Sequence, residues 1–211
     1  MRTFRYVVVD VFTDTALAGN QLAVFTDARD LDGELMQALA LEIGFSETTF
    51  VLPAEAGGTV RMRIFNPAHE MPFAGHPVLG TAWVLAAPLQ RGVIELETGM
   101  GVVSVELDRD ESGALGFGRM VQPVPTVTAV EETESLFDAL GVPGSELPVE
   151  LYDNGASHIV VTLGSDEVVS ALSPDLSAIA RFGVTGVNCI SGARTCGSSS
   201  DSWPRRCSSH H

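Results

Sequence analysis

The sequence predicts an α+β protein built as two lobes. Three observations carry this. Short runs rich in Val, Ile and Thr alternate with helical patterns along the chain. One segment, Pro77 to Ala87, is apolar on every face except at Thr81, which predicts a helix buried all round. From about Leu115 the order of strands and helices starts again, which predicts a second lobe and a boundary between Gly113 and Pro125.

The elements follow in order. Tyr6 to Phe12 is valine-rich and predicts a strand; Gly19-Asn20 predicts a turn, and Leu22 to Phe25 a second strand. Leu31, Leu35, Leu39 and Ile43 fall on one helical face, with Asp30 or Asp32 as the cap and Gly44 as the stop. Thr48 to Leu52 and Val60 to Phe65 predict strands turned at Gly57-Gly58. Pro77 suits the first turn of the buried helix, where its missing N–H costs nothing. Val93 to Leu96 and Val102 to Leu107 read as a hairpin about Gly99 and Gly101.

In the second lobe, Leu115 to Val121 predicts a strand, followed by a proline-rich link at Pro123 to Pro125. Glu131 to Leu140 is helical. Strands are expected at Pro148 to Tyr152, His158 to Leu163 and Val187 to Ile190, with short helices at Asp166 to Leu172 and Pro174 to Phe182. The lobes are accordingly set at residues 1–118 and 119–193, with residues 194–211 as a tail. Cys196 to His211 contains six serines and no aliphatic residue, and reads either as disordered or as translated out of frame.

Composition narrows the function. A net charge of −15 disfavours nucleic acid and anionic membrane surfaces as partners. All 12 basic residues are arginine, which excludes a lysine Schiff base and a phosphate-loop lysine. Cys189, Cys196 and Cys207 fit no zinc spacing, so no metal is expected. The apolar stretch Met71 to Gln90 holds three prolines and reads as a buried segment, not a membrane span. The N-terminus has no signal-peptide shape, and the expected location is the cytoplasm.

Two motifs bear chemistry. In Gly44-Phe45-Ser46-Glu47-Thr48-Thr49-Phe50-Val51, Glu47 falls at a helix-to-strand junction beside an apolar strand. A half-buried carboxylate there can take and return a proton. A lone glutamate in such a place is more often a solvated loop residue. In Asn66-Pro67-Ala68-His69-Glu70-Met71-Pro72-Phe73-Ala74-Gly75-His76-Pro77-Val78-Leu79-Gly80, Gly75 and His76 open the buried helix. Its free N–H groups suit a substrate carboxylate, and Gly75 permits close approach of a ligand. His76 is then a proton or hydrogen-bond donor, or simply a helix cap.

The combination is more specific than either motif. Asp10-Val11-Phe12, Gly19-Asn20, Ser46-Glu47-Thr48, Pro72 to Pro77 and Gly80-Thr81-Ala82 occur in an order that resembles the phenazine-biosynthesis, or PhzF-like, isomerase family. The resemblance runs from about Tyr6 to Ala193 and includes Tyr152-Asp153-Asn154-Gly155 and His158; Gln21 departs from it, standing where many members have proline. It implies a diaminopimelate epimerase-like fold, in which two similar lobes each wrap a curved sheet around a central helix. It implies a homodimer that needs no cofactor and isomerises a small carboxylate, trans-2,3-dihydro-3-hydroxyanthranilate. Glu47 is then the base that moves a proton from C3 to C1, with His76 as its catalytic companion and Ser46, Gly75 and Pro77 around the substrate. Epimerases of this fold use a cysteine from each lobe; the first falls at about Ala74, so two-thiol racemisation is not expected.

The resemblance also implies an Asp-x-Ala-Thr-Gly-Ser loop and a second central helix after the last predicted strand. Nothing from Arg194 to His211 matches them. The second lobe is therefore expected to be incomplete and the 211-residue chain inactive, with a frame change near Arg194. Two other readings stay open: a non-catalytic remnant or binding protein, and an isomerase of another small carboxylate.

Overall fold

The structure, a computed structural model, describes residues 3–122 and 124–191. The predicted tail therefore lies outside the described residues. Contacts divide the chain into two compact units that meet at Pro123/Val124.

The first unit is one mixed sheet curled around a helix. Strand β1 (Val7–Val11) pairs antiparallel with β2 (Asn20–Phe25), which pairs parallel with β3 (Glu47–Leu52). The crossover between β2 and β3 carries α1 (Gly33–Ile43). Strand β3 pairs antiparallel with β4 (Val60–Phe65), which holds the two-residue β5 (Glu70–Met71) and pairs parallel with β6 (Val93–Thr98). The sheet ends in the antiparallel strands β7 (Gly101–Arg109) and β8 (Leu115–Met120).

The helix α2 (Gly75–Leu89) touches β1, β2, β3, β6, β7 and β8. A single helix reaches both end strands of a sheet only if the sheet curls around it. The core is the lining of that curl: Leu22, Val24, Ile64, Ile94, Leu96 and Val105 close on Val78, Ala82 and Ala86. The helix comes close because Gly80 has no side chain. A Cβ there would stand 2.7 Å from Leu22 Cδ2 and 2.8 Å from Val11 Cγ2. Within this apolar interface the buried hydroxyls of Thr49 and Thr81 form a polar link, 2.9 Å apart.

Side chains alternate along a strand, so β2, β3 and β4 also present an outer face. Phe25, Phe50 and Phe65 point there and pack with Met36 and Ala40 of α1. The rings of Phe25 and Phe50 stack at 4.7 Å, and Phe65 meets Phe50 edge-on at 5.5 Å. Asp32 caps α1 by accepting from Leu35 N, and Gly44 ends it in the left-handed region at φ 71°. Helix α1 starts two residues later than its leucine pattern predicts, because Leu31 belongs to the preceding turn, where its N–H donates to the Ala28 carbonyl. Glu97 is buried, and its carboxylate accepts from the N–H groups of Glu55, Ala56 and Gly58, which pins the 53–58 turn.

The second unit is a four-stranded sheet in the order β12-β11-β10-β9. Strands β9 (Thr126–Ala129), β10 (Glu150–Asp153) and β11 (Ser157–Leu163) are antiparallel, and β12 (Gly186–Ser191) is parallel to β11. Helix α3 (Thr133–Leu140) supplies Leu136 and Leu140 to a core with Ile159, Val161 and Leu163. Helices α4 (Asp166–Ser170) and α5 (Leu176–Ile179) and a 3₁₀ turn (Ala180–Phe182) connect β11 to β12. The helix predicted to run to Phe182 therefore tightens into the 3₁₀ turn, and Gly183 closes it at φ 65°. Among the described residues no helix is long and apolar enough to cross a membrane.

Candidate active site

Three element starts converge at one end of the first unit. Because β2 and β3 are parallel, their first residues lie at the same edge of the sheet, with Leu22 in register with Glu47. The helix α2 begins at that edge too. Asn20 opens β2, Glu47 opens β3, and His76 is the second residue of α2.

The result is a contact between two side chains distant in sequence. His76 Nε2 stands 3.3 Å from Glu47 Oε2, and the side chains are 8% and 16% exposed. Both atoms are shielded from solvent and make no well-formed hydrogen bond. Each therefore has the other as its polar neighbour. Groups in that condition carry a free-energy cost unless something else pairs with them. On the other side of the imidazole, Asn20 Nδ2 lies 3.2 Å from His76 Nδ1. Ser46 Oγ donates to Asn20 Oδ1 at 3.4 Å.

Burial pushes the His76 imidazole below its ordinary value, since a charged ring loses hydration there. The Glu47 charge and the Gln21 backbone carbonyl oppose that shift without cancelling it. A neutral imidazole can donate or accept a proton, and an adjacent carboxylate can take one from carbon. The pair has the makings of acid–base chemistry without a metal. Among the described residues no cluster of three or more His, Cys, Asp or Glu is placed to hold a metal ion.

The remaining predicted residues fall around this pair. Gly75 is the first residue of α2, and Ala74 before it has no side chain able to cap the helix. The N–H groups of that first turn thus keep the polarity that attracts anions. A Cβ on Gly75 would meet Gln122 at 3.5 Å and Met120 at 3.9 Å, ordinary van der Waals contacts, so the surrounding packing does not itself demand glycine there. Pro77 is buried within the first turn and serves the helix start. Ser46 is exposed and reaches the pair only through Asn20.

Two neighbours were absent from the predicted site residues. Asn20 was legible as half of a Gly-Asn turn and as part of the Gly19-Asn20 motif, but not as a site residue. Phe12 was read as the end of a strand, but it leaves the strand at φ 68° and turns its ring edge toward His76, centroids 6.5 Å apart. A separate hollow of about 530 Å³ is lined by Arg61, Arg63, Glu70 and Glu97 and excludes the pair. Its charges are already spent: Arg63 pairs with Glu70 through two 2.6 Å bonds, and Arg61 with Glu55.

A curled mixed sheet around one helix, with acid–base groups at the helix N-terminus, defines a diaminopimelate epimerase-like α+β fold. The likeness to solved structures agrees. A PhzF-family phenazine biosynthesis protein of Bacillus anthracis superposes with TM-score 0.76 at 26% identity, over 92% of this chain and 69% of that one. A hydroxyproline epimerase of Agrobacterium vitis shares the fold at TM-score 0.52 and 13% identity, over 74% of this chain and 51% of that one. The family described as phenazine biosynthesis-like protein matches residues 9–207, beyond the Ala193 limit set by the motifs.

Trans-2,3-dihydro-3-hydroxyanthranilate isomerases are similar at higher identity. That of Pseudomonas fluorescens is 45% identical over 89% of this chain and 67% of its own length. That of Pseudomonas aeruginosa is 46% identical over 90% and 68%. The chain belongs to the PhzF family of isomerases. It spans about two thirds of the length of these relatives.

Proposed function

We propose that this protein isomerises trans-2,3-dihydro-3-hydroxyanthranilate or a cyclic carboxylate very like it. The observation that carries this reading is the buried, otherwise unpartnered Glu47 Oε2 beside His76 Nε2. It is supported by 45% identity to isomerases of that name.

In this reading the substrate carboxylate lies against the first-turn N–H groups at Gly75. Glu47 takes the proton from C3, and the electron pair left behind shifts the ring double bonds. The same carboxylate, now protonated, delivers that proton to C1. The C3 carbon becomes an enol, which tautomerises to the ketone, and no atom is gained or lost. His76 holds the Glu47 carboxylate through both transfers, so the reaction needs no cofactor. A homodimer is part of the same proposal.

The test is an assay of the dihydro-hydroxyanthranilate on a version extended to the relatives' length, using substrate deuterated at C3. Conversion with part of the label appearing at C1 is the expected result. Conversion with label lost wholly to solvent at every concentration argues against a single shuttling carboxylate. No conversion, with turnover of another carboxylate instead, overturns the substrate.

A further inference from the structure

We infer that Asn20 is a positioning residue, which fixes His76 as the tautomer with its proton on Nε2, directed at Glu47. The inference rests on the proposed role of Glu47, but its structural part can be tested without substrate.

Two observations bear on this proton placement. The first is the hydrogen-bond chain on the Nδ1 side. Ser46 Oγ has a proton to give, and it donates to Asn20 Oδ1 at 3.4 Å. In this arrangement the NH₂ end of the Asn20 amide is the one 3.2 Å from His76 Nδ1, and the Ser46 hydroxyl, which can donate or accept, accommodates it. An amide NH₂ only donates, so Nδ1 must accept and carry no proton. The neutral ring then has its proton on Nε2.

The second observation lies on the opposite side of the ring. Nε2 is 3.3 Å from Glu47 Oε2, and both atoms are closed off from solvent. A bare Nε2 would set a lone pair against a carboxylate oxygen at 3.3 Å. A protonated Nε2 turns the same contact into attraction. The Nε2 contact sets the tautomer, and the amide at Nδ1 supplies the donor that this tautomer requires.

The geometry also explains why Asn20 sits where it does. It is paired in register with Val11 at the start of β2, directly after Gly19. A Cβ on Gly19 would stand 2.6 Å from the Val11 carbonyl oxygen and from Thr13 Cγ2, so no other residue brings the chain through this point. Gly19 and Asn20 thus act together: the first permits the tight entry, and the second delivers the amide. The Gln21 backbone carbonyl also acts on the ring and favours a protonated nitrogen.

The test uses ¹⁵N-labelled 211-residue protein and reads the ring nitrogens of His76, assigned by comparison with His76→Gln. In the unmodified protein at neutral pH, Nδ1 is expected as the unprotonated, pyridine-type nitrogen and Nε2 as the protonated one. In Asn20→Asp, which keeps size and shape, the carboxylate accepts where the amide donated, and Nδ1 becomes protonated. Asn20→Ala, with its smaller perturbation of charge, keeps the fold and loses the strict preference. In the extended version, Asn20→Asp lowers kcat by about 10²-fold or more while KM changes little. A protonated Nδ1 in the unmodified protein overturns the inference. So does an unchanged ring pattern in Asn20→Asp. Because the ring pattern is read without substrate, a wrong substrate assignment leaves this result standing.

Discussion

His76 Nε2 and Glu47 Oε2 face each other at 3.3 Å across the junction of α2 and β3, both closed off from solvent and without a well-formed hydrogen bond. The contact joins a helix start to a strand start, and the curl of the sheet around α2 holds both in place. Its consequences reach stability as well as chemistry.

The first consequence is a pH dependence of folding. Burial holds the His76 imidazole below its ordinary value of 6.5. An unfolded chain therefore takes up a proton at this residue before the folded one does. The unfolded state binds more protons between the two values, so stability rises with pH through that window and falls as pH drops through it. Above the ordinary value both states are neutral and the residue contributes no slope. The urea midpoint of the unmodified protein should fall more than that of His76→Gln between about pH 7.5 and about pH 5. The opposite ordering would mean that the Glu47 charge outweighs burial and the folded ring is cationic.

A second consequence concerns how α2 is registered on the sheet. The Thr49 and Thr81 hydroxyls are buried and 2.9 Å apart, and Thr49 Oγ1 also reaches the Ala23 carbonyl at 3.5 Å. Replacing Thr49 by Val leaves the Thr81 hydroxyl without this partner in an apolar interface, at a cost of about 1–3 kcal/mol. The double replacement Thr49→Val with Thr81→Val should cost less than the sum of the two singles, with a coupling of at least about 0.5 kcal/mol. Urea unfolding of the four proteins measures it. Additive losses would show that the pair does not act as a unit.

Much of this fold was legible in the sequence, for identifiable reasons. The segment Pro77 to Ala87 has no polar face, and it proved to be the helix inside the curl. Gly44 stood where a left-handed residue was needed, and it is one. The hairpin at Gly99 and Gly101 formed as its valine and leucine runs required. Strand β9 was hidden because Pro123 and Pro125 mark a link, and the strand starts directly after them. Phe12 follows a valine run and so reads as strand; residue type does not encode its positive φ. Asn20 reads as a turn residue after glycine, yet pairing with Val11 makes it the start of β2.

For the site, Glu47 and His76 were both legible from their motifs, but their proximity was not. It depends on the parallel pairing of β2 with β3 and on the seat of α2 in the curl, which no local pattern reports. Asn20 was missed as a site residue for the same reason: its meaning lies in what the fold sets opposite it.

The central claim is that Glu47 carries the proton, and one substitution tests it most directly. Glu47→Gln keeps the size of the side chain but cannot take a proton from carbon and return it. The measurement is the turnover of trans-2,3-dihydro-3-hydroxyanthranilate by the Glu47→Gln variant beside the unmodified protein, both extended to the relatives' length and both shown to be folded. A loss of at least about 10³-fold in kcat with substrate binding retained is the predicted result. Turnover within a few-fold of the unmodified protein would contradict the account.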